Sequence, residues 1–514
     1  MMNNWVKKII TIRFPHFLVL FIVLAFVYDM HITMFYRPQS LHVWRQTDCL
    51  SITQNYFQRD LPFFEPEVYN LFCNDGLSGK TAGEFPILYW SVAQLWKVIG
   101  KSEFAYRLLV LIISFLGLYA VFRASRQILG NDVQALFTGL LLFTGVTWVS
   151  YASNFLPNVP ALSFVLIGWY FIWIFYNRGS GKWLWISMLF FTLGMLLKVS
   201  AGISFCALLG WIVIEFFSQK KKRILFDRPL INVIPFITAI IVVVAWYYYA
   251  EHYSMQNEGK YTFNSVWPIW ELSGEKIRAD LHGIRIEWSK EFFNRSVLYV
   301  TGILWIFLMI TLKHRNRFLN WMLIILPFGS IAYALLWFQA LNGHDYYWID
   351  FYPPFIMVWI LFFKTLNAYD WLKRRRWIIH IVLLVFFIHN VVDCDKRIVD
   401  RYVSWKNELY FNHLEAVGEL EPMLRDLGVD PDDRVISIPD YTINASLYLM
   451  NQRGYNDFGS NFKDPATFEK RISQGAKYLI INDTTLLDDP VVSQYTGELL
   501  ATYRNVKVYR ICDM

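Results

Sequence analysis

His42-Val43-Trp44-Arg45-Gln46-Thr47-Asp48 follows an apolar run from Phe17 to Phe35 and sets a carboxylate beside a guanidinium at what that run makes a membrane edge. Charge at such a depth is costly and is retained mainly where it has a role. The run is too long for the hydrophobic core of a secretory signal and lacks a small-residue cleavage site. Lys7, Lys8 and Arg13 are therefore read as preceding a retained helix.

The remainder of the chain repeats the pattern. Its 514 residues are 55% hydrophobic and only 17% charged, with 22 tryptophans, which is the balance of a polytopic membrane protein rather than a soluble enzyme. Apolar stretches of about 17 to 25 residues, the length that spans a bilayer, are placed at 15–36, 104–126, 132–152, 157–177, 183–198, 201–218, 229–250, 296–312, 318–341, 348–367 and 377–393, about eleven transmembrane helices. Basic clusters supply an independent check on this count, because they should fall on alternate, cytoplasmic ends. They do so at Lys7/Lys8/Arg13, Arg123/Arg126, Arg178/Lys182, Lys220 to Arg223, Lys313 to Arg317 and Lys373 to Arg376. The pair 183–198 and 201–218 is also compatible with a re-entrant hairpin, since the first member is short and Gly202 marks a tight connection.

This topology leaves polar sequence on one face at 37–103, near 153–160, at 251–295 and beyond about 394. The expected domains are a transmembrane part, 1–393, and an α/β domain outside the membrane, 394–514. In the first loop, two amphipathic patterns beginning at Leu50 and Ile87 suit interfacial helices. The last 120 residues carry strand-like runs at Arg434 to Ile438, Lys477 to Ile481 and Val506 to Ile511. Net charge is +7, but residues 394–514 hold 14 Lys and Arg against 19 Asp and Glu, so the basic excess belongs to the membrane part. That suits anionic headgroups and phosphate and gives no argument for nucleic acid. Pairings of Cys49 with Cys73 and of Cys394 with Cys512 are permitted by sidedness in an oxidising compartment, and free thiols are the alternative.

The chemistry-bearing residues share the outer face. Arg45 lies three positions before Asp48, at helical spacing, so it either holds the carboxylate ionised or binds phosphate; a structural ion pair at a helix start is the plainer reading. Glu84 precedes the second amphipathic helix and either supports Asp48 or serves the helix dipole. Lys198 is a snorkelling lysine or a cation for a lipid phosphate. His344, Tyr346 and Tyr347 form a set of donors for a developing negative charge, or part of an aromatic belt, with Asp345 beside them. His42, Trp44 and Arg107 are supporting candidates, Arg107 as the partner of a loop carboxylate, and Asn154 and Asn158 cap a helix start. No Walker loop, GxGxxG, HExxH or paired CxxC occurs. No cofactor is read from the sequence, and a divalent metal on Asp48, Glu84 and His344 has no specific spacing behind it.

His42-x-Trp44-Arg45-Gln46-x-Asp48, Glu84-Phe85-Pro86, Arg107, Pro157-Asn158-Val159-Pro160, Leu197-Lys198 and His344-Asp345-Tyr346-Tyr347 occur in an order that resembles the GT-C membrane glycosyltransferases. The chain is similar to the bacterial group of protein O-mannosyltransferases and the lipid A aminoarabinose transferase over roughly residues 15–370. The resemblance implies inverting transfer of a sugar from a polyprenyl-phosphate donor to an acceptor at the periplasmic face of a bacterial inner membrane, with Asp48 as general base and Glu84 as a second catalytic carboxylate. The basic clusters put the N-terminus on the cytoplasmic side and the terminal domain, which the resemblance does not cover, on the periplasmic side. Where the aminoarabinose transferase pattern has a lysine before the proline, this chain has Glu84, so the phosphate contact falls to Lys198, Arg45 or His344.

The acceptor is a lipid, a glycan or a protein, and the surrounding partners are membrane lipids. Two competing readings are a lipid-linked oligosaccharide ligase or oligosaccharyltransferase, and a transporter or flippase. The second calls for charges inside helices and internal repeats, which this sequence does not display.

Overall fold

The computed structural model describes residues 12–217, 229–259, 266–312, 316–371 and 375–512. Lys7, Lys8, Lys220 to Arg223, Lys313 to Arg315, Lys373 and Arg374, used above to orient the helices, lie outside the described residues. The chain divides into two compact units. One comprises Met1–Met34, Tyr106–Ala245 and Val266–Val399; the other comprises Phe35–Ala105, Trp246–Ser265 and Asp400–Met514.

The first unit is built from apolar helices at the positions expected. Among the described residues, seven helices are long and apolar enough to cross a bilayer, from Glu103–Leu129 to Arg376–Val403. Two bent helix pairs meet the same measure only when taken together, each as a broken span or a re-entrant loop: Asp132–Thr144 with Val146–Ala152, at 78°, and Gly274–Phe292 with Arg295–Ile310, at 95°. Phe14–Val27 and Gly181–Leu197 are apolar but shorter, 14 and 17 residues; the first falls short of the length that spans a bilayer and the second stands at its lower limit. The chain is a multi-pass helical membrane protein.

Gly181–Leu197 packs closely on Asn158–Arg178, and Gly194 shows why. A Cβ there would lie 2.8 Å from the Ala161 carbonyl oxygen, so only glycine permits the contact.

The second unit gathers the first loop and the last residues around one sheet. Helix α1 (Val43–Gln58) and helix α2 (Ile87–Ile99) occupy the two patterned stretches of the loop. Only α2 keeps an exposed apolar edge, with Val98 83% accessible. Thirteen of the sixteen α1 residues are buried, so α1 is a core helix rather than an interfacial one. Several of its polar side chains find partners internally: Ser51 donates to the Asp48 carbonyl, Thr53 to the Cys49 carbonyl and Asn55 to the Glu67 carbonyl, each within 2.9 Å.

Strand β1 (Arg434–Ile438) leads through a loop into helix α3 (Ala445–Leu449), then strand β2 (Gly454–Tyr455), helix α4 (Pro465–Ser473), strand β3 (Ala476–Ile481), strand β4 (Thr496–Tyr503) and strand β5 (Val506–Ile511). The sheet order is β2-β1-β3-β5-β4, with β1 parallel to β2 and β3, and β5 antiparallel to both β3 and β4. The three strand-like runs of the sequence are β1, β3 and β5. Phe462, Phe468, Leu479, Ile481 and Tyr509 form the core on one face, and Leu71 of the first loop is part of it. The loop also joins the sheet directly, for Leu71 donates its backbone N–H to the Gly454 carbonyl at 2.9 Å.

All five cysteines are free thiols, the alternative to the two permitted pairings. Cys49 points into the core instead, its Sγ 3.6 Å from the Tyr89 hydroxyl, and burial pushes its thiol up to about 12. Cys394 packs beside Tyr28 in the first unit, and Cys512 lies by Gly497 in the second.

Candidate active site

Asp48 sits one turn into α1 and is fully buried. His42 caps the helix from the left-handed region, at φ 57°, a conformation a residue with a side chain adopts at some cost. The Trp44 and His42 rings meet edge to face, 6.3 Å apart. This tight entry places Arg45 and Asp48 on the inner side of the helix. Arg45 Nη1 lies 3.8 Å from Asp48 Oδ2, and Arg45 Nη2 lies 2.5 Å from Glu84 Oε1. The structure thus brings Asp48, Arg45 and Glu84 together, one guanidinium between two carboxylates, all three less than a tenth exposed. Glu84 also borders a small recess lined by Ile52, Pro66, Thr81, Pro86 and Tyr89.

The other oxygen of Asp48 has a partner from far along the chain. Asn444, from the loop between β1 and α3, donates through Nδ2 to Asp48 Oδ1 at 2.9 Å. Its own Oδ1 accepts from the backbone N–H groups of Tyr69 and Asn70, at 3.0 and 3.1 Å. Those two donors leave only one sensible orientation of the amide, with the NH2 toward the carboxylate.

Lys198, His344, Asp345, Tyr346 and Tyr347 belong to the first unit. Lys198 ends the helix Gly181–Leu197 in extended conformation. It is only 8% exposed. Its Nζ lies 4.8 Å from the centre of the Tyr347 ring, and its charge acts on Asp350. Asp350, with Ser200 and Tyr333 beside it, escaped the sequence reading because it is embedded in an aromatic run.

Asp345 begins the short 3-10 helix Asp345–Phe351 and accepts from the Tyr151 hydroxyl at 2.5 Å. Tyr346 and Tyr347 stack at a tilt, 4.8 Å apart, with the His344 ring 5.6 Å from Tyr346. Asn158 donates to the Tyr346 carbonyl, tying the start of its helix to this segment. Arg107 donates to the Thr33 carbonyl at 2.6 Å and lies 4.4 Å over the Phe155 ring.

Among the described residues, no group of three or more His, Cys, Asp or Glu side chains is arranged to hold a metal ion. The carboxylates of Asp48 and Glu84 share Arg45.

Residues 83–249 match the family described as dolichyl-phosphate-mannose-protein mannosyltransferase. An uncharacterized protein of Aquifex aeolicus is 20% identical over 253 residues, which cover 49% of this chain and 48% of that protein, so the chain spans about half the length of this relative. Among solved structures, ArnT from Cupriavidus metallidurans in the apo state superposes with a TM-score of 0.61 at 14% identity, covering 96% of this chain and 97% of that one. The same protein bound to undecaprenyl phosphate gives 0.59 at 13% identity, with 97% and 98% covered. The archaeal oligosaccharyltransferase AglB from Archaeoglobus fulgidus, in complex with an inhibitory peptide and a dolichol-phosphate, gives 0.56 at 12% identity, with 95% and 74% covered. The order of elements, the apolar helices and these superpositions together show that this chain has the fold of the GT-C membrane glycosyltransferases.

Proposed function

We propose that the chain is a membrane glycosyltransferase that moves a sugar from a polyprenyl-phosphate donor to an acceptor hydroxyl, with inversion and with Asp48 as general base. The observation that carries this reading is the environment of Asp48: a carboxylate with no exposure, one oxygen held by an amide N–H and the other facing a guanidinium. Both contacts favour the ionised, proton-accepting form. Fixing both oxygens also orients the group, as a base acting on a positioned hydroxyl requires. The fold supports the reading, as do the undecaprenyl phosphate bound by ArnT and the dolichol-phosphate bound by AglB.

In this scheme Asp48 takes the acceptor hydroxyl proton as that oxygen bonds to the anomeric carbon. The bond from that carbon to the phosphate oxygen breaks, and the electron pair leaves with the polyprenyl phosphate. Attack from the face opposite the phosphate inverts the configuration. Arg45 keeps the two buried carboxylates in place, and its 2.5 Å contact commits it more to Glu84 than to phosphate. In the first unit, Lys198 and the donors of His344, Tyr346 and Tyr347 suit the negative charge of a phosphate. An apolar groove there, lined by Val121, Leu166, Trp173, Leu319 and Ile356, suits a prenyl chain. The site faces the periplasm of a bacterial inner membrane in this proposal.

Purified protein incubated with defined polyprenyl-phosphate sugars and membrane extracts, with product read by mass spectrometry, tests the reading. Asp48→Asn is expected to lower transfer by about 10²-fold to 10⁴-fold, the usual contribution of a positioned base, while expression and donor binding persist. Near-normal transfer by that variant removes Asp48 as the base.

A further inference from the structure

Asn444 stands 396 residues from Asp48 in the chain, and both are completely buried. Its backbone is the point at which the loop after β1 turns into α3. That loop is held rigidly: Asp440 accepts from the backbone N–H groups of Thr442 and Ser446, both at 2.9 Å, and from Asn456 Nδ2 at 3.2 Å. Asn456 in turn accepts from Asn70 at 2.7 Å. The amide is therefore fixed from behind by its loop, fixed at its oxygen by Tyr69 and Asn70, and left with one N–H aimed at the carboxylate.

We infer that Asn444 is a positioning residue for glycosyl transfer: through its Nδ2–H it sets the rotamer and the ionised state of Asp48, which makes the terminal sheet domain part of the catalytic apparatus rather than solely a selector of acceptors. The inference rests on the assignment of Asp48 as base. A carboxylate is free to rotate about its last bond, and at 2.9 Å the Asn444 donor fixes one oxygen while Arg45 stands 3.8 Å from the other. Ionisable groups near Asp48 include Arg45 and Cys49 on its own helix and Glu84, which shares Arg45 with it. Of these, Arg45 alone is a cation.

Two substitutions in the full-length protein separate positioning from packing. Asn444→Asp keeps an oxygen for the Tyr69 and Asn70 amides but removes the amide donor and sets a second acidic group against Asp48; Asn444→Ala removes donor and acceptor together. Each is compared with wild type and with Asp48→Asn for transfer rate, donor KM, pH profile and resistance to limited proteolysis.

The expected result is folded protein with donor KM unchanged and kcat lowered about 10-fold to 100-fold, as misplacement of a reacting group produces. The acid limb of kcat/KM should move to higher pH, by about one unit for Asn444→Ala and more for Asn444→Asp, because the ionised base has lost a donor. Wild-type rates and an unmoved acid limb in folded Asn444→Ala, alongside an inactive Asp48→Asn, overturn the inference and leave Asp48 as base. Failure of both Asn444 variants to fold also overturns it, by assigning Asn444 to the packing of residues 69 and 70. Full activity in Asp48→Asn overturns the underlying assignment instead.

Discussion

Buried charge in this protein is handled by sharing. Arg45 sits between Glu84 and Asp48, and a lone buried carboxylate would tend to give up its charge by binding a proton. Asp457 shows that tendency in the sheet domain, where burial, with the neighbouring Asp440 carboxylate adding to it, pushes its carboxyl up to about 6 against the hydrogen bond it accepts from the Asp440 backbone N–H. Because this folded-state value lies above the ordinary 3.8, the folded protein holds the proton more tightly than the unfolded chain. The stabilisation is complete below about pH 4 and is lost as pH rises through about 6. At pH 7.5, Asp457→Asn should therefore stabilise the protein by about 1 kcal/mol, discounted for partial exposure. The gain over wild type should vanish toward pH 4, which thermal melts at the two pH values will show.

At the scale of elements, the apolar helices were legible because lipid demands length and hydrophobicity that no other context mimics. Strand β4 was not. Its sequence Thr-Gly-Glu-Leu-Leu-Ala-Thr-Tyr carries residues that prefer helix, and only pairing with β5 makes it a strand. The burial of α1 was equally hidden, since its Gln, Thr, Ser and Asn residues read as a wet face until Asn451 and Glu67 supply their partners. Asn444 carried no signal at all, because a lone amide in a polar loop has no period and its partner lies far away in the chain. The short strand β2 depends on one residue, for a Cβ at Gly454 would stand 1.9 Å from the Val435 carbonyl oxygen. Gly454→Ala should destabilise the sheet unit by at least about 2 kcal/mol, visible as earlier protease cleavage between residues 35 and 105 than in wild type.

For the whole molecule, the first loop and the terminal residues form one folding unit even though almost the entire membrane part separates them in sequence. Tyr69, Asn70 and Gln54 reach Asn451 and Asn456 through side-chain hydrogen bonds of 2.7 to 2.9 Å. Leu71 completes the sheet core. A chain ending after residue 399 should insert its helices but leave residues 37–103 without their core. Limited proteolysis should then cut α1, which the full-length protein protects, and transfer should be absent even with the simplest acceptors.

The hydrogen bond from Asn444 to Asp48 also has a meaning in time. During synthesis the carboxylate is made long before its amide, and at about 5 to 20 residues per second the 396 intervening residues take about 20 to 80 s. Throughout that interval the nascent chain carries the Asp48 carboxylate without the amide that holds it in the finished protein. If Asn444 positions Asp48 as proposed, a chain stalled before residue 444 carries the carboxylate without its positioning partner and transfers no sugar.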